Sequence, residues 1–286
     1  TARSGLWSPQ RWRELVPYRA AEMAHRIGRA WRPLIDTTTA VDYSAPGAWA
    51  NWRRQNDFYP EGELLWLSID MKIRQLSHDK HSIDDFARAF YSIDNGSFVT
   101  HTYTFDDVVN ALNRVQPYDW ANVLHTWLDG VDPQVPLLSG IESSGWKLVY
   151  TNKPSRYQKA LEDVGPGELE GSSINAMFSV GLKLNHRGGV SDVLWNGPAF
   201  KAGLAPGMKL ISINGQAYST QVLRTEIAQA QQTHKPLQIR AQGDGVTKLY
   251  TVDYDGGLKY PHLVREQGTT DYLGKILAPK PVENGS

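Results

Sequence analysis

The apolar residues of this chain change their period partway along it, and that change limits the fold more than any other feature of the sequence. Up to about residue 130 they recur with helical spacing behind helix-capping residues. Eight of the ten Trp lie there: Trp7, Trp12, Trp31, Trp49, Trp52, Trp66, Trp120 and Trp127. From Met177 onward they fall in short segments of strand type: Val180 to Leu184, Val190 to Leu194, Lys209 to Ile213, Leu237 to Ala241 and Lys248 to Tyr254. One helical stretch, Gln221 to Gln232, sits among them. The helical and strand periods bury different faces and cannot share one element. The 286 residues therefore divide into a helical half and a small α+β barrel, a multidomain α and α+β chain.

In the helical half, Ser8 and Pro9 read as an N-cap with proline at the first helical position, and apolar residues continue from Trp12 to Ile27. Pro17 is expected to kink that run or split it in two. A polar loop follows from Asp36 to Pro46. A second helix is expected from Pro60 to about Ser77, apolar around most of its circumference and therefore central. Ser82 before Asp84 and Asp85, and Thr104 before Asp106 and Asp107, place a hydroxyl cap ahead of acids in a first helical turn. Short helices are expected at Phe86 to Tyr91, Val108 to Val115 and Tyr118 to Leu128. Pro, Gly and Ser then punctuate a linker over 133–176, interrupted by one strand, Trp146 to Thr151.

The composition removes several function classes. Lys plus Arg equals Asp plus Glu at 30 each, with no basic block, so there is no electrostatic footprint for nucleic acid or an anionic membrane surface. Cysteine is absent, which excludes disulfides, thiol catalysis and thiolate metal sites. No apolar run approaches the roughly 18 to 20 residues that span a bilayer. Thr1 opens the chain without a leader pattern and reads as a cut or processed edge.

The strongest local motif is GPAFKAGLAPGMKLISINGQ, Gly197 to Gln216: a helical turn opened by Pro198, a Gly203 stop, a turn at Pro206-Gly207, a strand, and a hairpin turn at Asn214-Gly215. Each glycine is expected at positive φ. The string resembles the core signature of PDZ domains in their circularly permuted bacterial form, over residues 177–256. That resemblance implies a peptide-binding loop at Ser179, Val180, Gly181 and Leu182. Its backbone N–H groups would face a carboxylate, and the next strand would offer an open edge. The alternative is an edge filled by the protein's own chain.

A second resemblance spans nearly the whole chain. NDFYPEGELLWLSIDMKIRQLSHDKHSIDDFARAFY (Asn56 to Tyr91), GRAWRPLIDT (Gly28 to Thr37) and GTTDYLGKILAPK (Gly268 to Lys280) are similar to the glycyl aminopeptidase family, metallopeptidase family sixty-one. Its bacterial members are zinc peptidases with a thermolysin-like catalytic domain followed by a PDZ domain. The resemblance implies that residues 1–132 are the helical part of such a catalytic domain, a gluzincin-like helical bundle. Residues 257–286 would form a tail packing back on the body. It also implies release of small amino-terminal residues, Gly or Ala, and a periplasmic or cell-envelope location in preference to the cytoplasm.

Such enzymes hold zinc with H-E-x-x-H on one helix and a downstream Glu. None of the eight His here is followed by Glu, and no pair has the required spacing, so no metal ligand is assigned in this chain. By the resemblance, Thr1 to Leu6 would fall just after the third ligand. The zinc cofactor would then be held by an upstream amino-terminal half acting as partner. His78 and His81 in HDKH read as a solvated turn and His125 as a packing residue beside Trp127.

Tyr59 is the catalytic candidate. Alone, it reads as a packing aromatic beside Phe58, or as the solvent-facing member of that pair. The resemblance implies instead a Y-x-x-G motif, here Tyr59-Pro60-Glu61-Gly62, whose phenol stabilises the oxyanion formed at the scissile carbonyl of a peptide substrate. Pro60 is expected to hold Tyr59 outside helical geometry. The alternatives are a non-catalytic adaptor that binds peptide carboxyl ends, or a PDZ-bearing metalloendopeptidase.

Overall fold

The computed structural model describes residues 5–39, 49–94, 96–163 and 174–279. The expected boundary at Thr1 and parts of the Asp36 to Pro46 loop, the 133–176 linker and the carboxyl-terminal tail lie outside them.

The helical body comprises α1 (Pro9–Ala24), a 3-10 turn (Ile27–Ala30), α2 (Asp36–Thr39), α3 (Ala50–Arg53), α4 (Phe58–Ser77), α5 (Ile83–Tyr91), α6 (Phe105–Val115), α7 (Trp120–Leu128) and α8 (Ser139–Ser143). Ser8 caps α1, its hydroxyl accepting the Arg11 N–H at 3.3 Å. Pro17 neither splits nor ends this helix. It removes one ladder donor, but Val16, Pro17 and Ala20 are all buried, and that packing holds the turn.

The two acidic pairs complete reciprocal capping boxes. The Asp85 carboxylate accepts the Ser82 N–H at 2.8 Å and the Asp107 carboxylate accepts the Thr104 N–H at 2.8 Å, while each hydroxyl accepts an amide of the first turn. Thr104→Ala is expected to destabilise the chain by about 1 kcal/mol. A urea midpoint unchanged from wild type would refute that cap.

The core of the body is built from α4 against α1 and α8, with Ile69, Ile73, Ala20, Met23 and Ile141 buried beside Leu112, Trp120 and Trp127. α4 is central as expected. The first turn is Phe58 to Glu61, not Pro60 onward, because a first-turn proline needs no intrahelical partner for its nitrogen.

Next come β1 (Trp146–Thr151), α9 (Arg156–Asp163), β2 (Ile174–Ala176), β3 (Leu182–Leu184), β4 (Val190–Val193), α10 (Pro198–Lys201), β5 (Lys209–Ile213), β6 (Gln216–Ala217), α11 (Thr220–Thr233), β7 (Leu237–Gly243), β8 (Val246–Val252), β9 (Tyr260–Arg265) and α12 (Tyr272–Leu277). The barrel consists of an antiparallel sheet β2-β3-β4 and a second sheet β6-β5-β7-β8, closed over α11 by Leu182, Val193, Ile213, Leu223, Ile227, Leu237 and Val252. The expected hairpin turn is present, with Asn214 at φ 48° and Gly215 at φ 84° between β5 and β6. Gly197 departs from expectation. It is the N-cap of α10 at φ −72°, and what excludes a side chain is closeness to Leu194, whose carbonyl oxygen would lie 3.0 Å from a Cβ.

β1 pairs antiparallel with β9, Trp146 opposite Arg265 and Thr151 opposite Tyr260. That ribbon lies on α1, and Leu273 and Leu277 of α12 pack with Trp12, Leu67 and Trp146. The strands of the barrel are thus inserted between β1 and β9. The segment read as a linker over 133–176 contains α8, β1, α9 and β2, and β2 belongs to the barrel sheet.

Candidate functional site

Where α3 turns into α4, the chain carries opposite charges at close spacing, Arg53-Arg54, Asp57 and Glu61. Arg54 is 1% exposed and stands at φ 54°, its Nε donating to Asp57 at 2.9 Å and its Nη2 to Glu61. Arg29, also buried, donates from Nε to Glu61 at 3.1 Å and from Nη1 to Asp132 at 3.0 Å. Arg26 approaches the second oxygen of Asp57 at 3.4 Å. Burial pushes the Glu61 carboxyl up, against the pull of Arg29 and Arg54. Asp57 is the N-cap residue of α4, but its carboxylate is turned to these guanidinium groups and makes no cap bond. Gly28 permits the crossing: a Cβ there would lie 2.4 Å from the Trp52 carbonyl oxygen.

Tyr59 rides on this base. It is the second residue of α4, so Pro60 does not hold it out of the helix. The first-turn position needs no proline N–H, and the buried charges beneath outweigh the conformational preference of a pre-proline residue. Its ring lies 4.3 Å from that of Phe58 and is 71% exposed, whereas Phe58 is half-buried. Of the two aromatics, Tyr59 is the one facing solvent.

Its neighbours in the chain Asp57 and Pro60, but not Tyr59 itself, line a cleft of about 320 Å³ between the body and the barrel, together with Glu22, His25 and Arg26 of the body and Asp192 of β4. Burial raises the carboxyl groups of Glu22 and Asp192, with Arg26 opposing in both cases, and lowers His25. His25 donates from Nδ1 to the Ala21 carbonyl at 2.9 Å. The cleft is held shut on one side by Asn51, whose Nδ2 donates to Asp192 at 3.0 Å and to the Val193 carbonyl at 2.7 Å, while its Oδ1 accepts the Trp195 N–H at 3.0 Å. Rings continue that contact, Trp31 to Trp52 at 5.0 Å and Trp52 to Trp195 at 5.5 Å.

Ser179, Val180 and Gly181 lie in one tight loop and Leu182 opens β3 directly after it, but the edge of that strand is not open. β3 is the middle strand of its sheet, with β4 on one side and β2 on the other. Of the two alternatives for this edge, the structure has it filled by the protein's own chain. The Ser179 hydroxyl is also engaged, accepting the Lys259 N–H at 3.0 Å.

HDKH forms the end of α4: His78 and Asp79 are left-handed at φ 53° and 63°, and Asp79 bonds Arg74 and Lys275, each at 2.6 Å. His125 is exposed and bonds Asp129 at 2.6 Å, and its ring packs against that of Phe105 at 4.6 Å, so it is a packing residue at the surface and not one beside Trp127. It faces away from the Leu124 and Trp127 side of α7. Among the described residues no group of three or more His, Cys, Asp or Glu could hold a metal ion, so they do not fit a zinc site.

No family model and no curated protein matches the sequence. Among solved structures, an aminopeptidase N family protein from Idiomarina loihiensis matches at 18% identity and a TM-score of 0.70, over 96% of this chain and 45% of that one. The HtrA3 PDZ domain bound to a phage-derived ligand also matches, at 20% identity and a TM-score of 0.20, over 43% of this chain and 95% of that one. This chain therefore has the fold of somewhat under half of an aminopeptidase N family protein.

Proposed function

We propose that this chain is the carboxyl-terminal portion of a zinc-dependent aminopeptidase of the glycyl aminopeptidase kind, which removes small residues, Gly or Ala, from peptide amino ends. The observation that carries the reading is the Tyr59 phenol, left exposed on the first turn of a helix whose base is fixed by buried ion pairs. The fold shared with an aminopeptidase N family protein supports it. The zinc is assigned to residues outside this chain, in an amino-terminal half that is its partner, since the described residues do not fit the ion.

On this reading the Tyr59 hydroxyl donates a hydrogen bond to the oxyanion that develops on the scissile carbonyl, and the positive end of α4 adds to the field at that point. The body is the helical part of a thermolysin-like catalytic domain and walls the substrate cleft. The barrel is a circularly permuted PDZ-type module. The filled β3 edge weighs against a free peptide-capturing adaptor.

Co-expression with the upstream half and zinc is expected to give hydrolysis of a glycine anilide, and the 286-residue chain alone none. Hydrolysis by this chain alone after chelation of metal would overturn the reading.

A further inference from the structure

One oxygen in the barrel accepts two loop amides at once. The N–H groups of Ser179 and Gly181 both donate to the Ala176 carbonyl, at 3.1 and 3.0 Å. From that oxygen the chain runs back along β3 in antiparallel register, Ala176 opposite Leu182, Asn175 opposite Lys183 and Ile174 opposite Leu184. Ile174 and Ala176 are 1% and 2% exposed, in the same core cluster as Leu223 and Ile227 of α11. Asn175 lies on the other face, its Nδ2 donating to the Tyr18 hydroxyl at 2.8 Å.

An oxygen in an amide cradle, a buried side chain beside it, a second one two residues earlier, and an extended backbone paired to the sheet edge are what a bound peptide carboxyl end presents. Chain direction agrees, since β2 runs toward the loop as such a peptide would. We propose that Ile174–Ala176 is an internal ligand of the barrel, and that the surface it covers is a site for external peptide carboxyl ends that compete with it. The external ligand ends in a small residue, because the Ala176 side chain is enclosed, and has a β-branched apolar residue two places before, matching Ile174. The inference rests on the PDZ-type reading of the barrel.

The five-residue connection 177–181 keeps β2 beside β3. A short tether of that kind gives an effective concentration on the order of millimolar, so micromolar free peptide does not displace β2 from the wild-type chain.

The test uses fluorescein-labelled Ser-Ser-Ile-Asn-Ala with a free carboxylate, its carboxamide, and the full chain as wild type, Ile174→Asp and Ile174→Ala. Either substitution is expected to tighten binding of the acid by about tenfold or more over wild type, with the carboxamide binding weakly. Hydrogen exchange at Leu210 and Ile239, in strands of the other sheet that do not pair with β2, checks that the barrel stays folded. If Ile174→Asp loses that protection, Ile174→Ala decides. Equal binding to wild type and variant, or binding to neither, overturns the internal ligand. Equal binding of acid and carboxamide to the variant overturns the carboxyl-end reading and with it the PDZ-type assignment, separately from occupancy of the edge.

Discussion

Tyr59→Phe is expected to lower turnover of the reconstituted peptidase by about 100- to 1,000-fold, the usual cost of losing one oxyanion donor. The substitution removes a single oxygen from a ring that is 71% exposed. It empties no cavity and strands no buried partner, so the thermal midpoint should move by no more than about 1 °C. The contact with Phe58 at 4.3 Å is kept by either ring. Loss of a donor used only when the oxyanion forms lowers kcat and leaves KM nearly unchanged. A rise in KM at constant kcat would make Tyr59 a substrate-contact residue. Unchanged kinetics would remove it from the site and take away the observation on which the proposed function stands.

Capping signals are legible in the sequence, the effects of single prolines and glycines less so, since Pro60 leaves Tyr59 inside α4 and Gly197 stands at φ −72°, and partners distant along the chain are not legible at all. Ser82 and Thr104 announce their helices because the capping hydroxyl and the acid three residues on bond to each other, all within one turn. Trp146 to Thr151 is recognisable as a strand, but its partner β9 is not, since Tyr260 to Arg265 contains a proline and no alternation. α9 was hidden by its composition, RYQKALED, which is polar enough to pass for a loop. β2 is three residues long, below the length at which periodicity has meaning, yet it decides whether the barrel edge is open. Tyr59 could be singled out only through resemblance to a family; its exposure and the fixed helix start beneath it are facts of packing. Asn51, Glu22 and Asp192 gave no sequence signal, because the cleft they form joins residues more than 140 positions apart.

Arg54→Met is expected to destabilise the chain by about 3 to 5 kcal/mol, the cost of leaving buried charge without its counterion. Asp57 and Glu61 are 3% and 1% exposed in their side chains, and Arg54 bonds both. Glu61 would keep Arg29, and Asp57 only the longer contact to Arg26 at 3.4 Å. The guanidinium also donates to the Arg32 carbonyl at 2.7 Å, so its loss frees the turn that brings α3 to α4. Met retains the aliphatic stem and keeps the same demand on backbone φ, which makes the charge the quantity that changes. For a chain of this size the loss corresponds to a fall of roughly 5 to 8 °C in thermal midpoint. Arg54→Lys restores a cation but not the fork that reaches two carboxylates, and an intermediate fall is expected. The same variants report on the site, because Tyr59 lies two residues from Asp57 and two from Glu61. If the ion pairs set its position, Arg54→Lys lowers kcat of the folded, reconstituted enzyme while a cap variant such as Thr104→Ala, equally folded, does not. Equal activity in the two would leave the Arg54 network a stabilising feature with no part in placing the phenol.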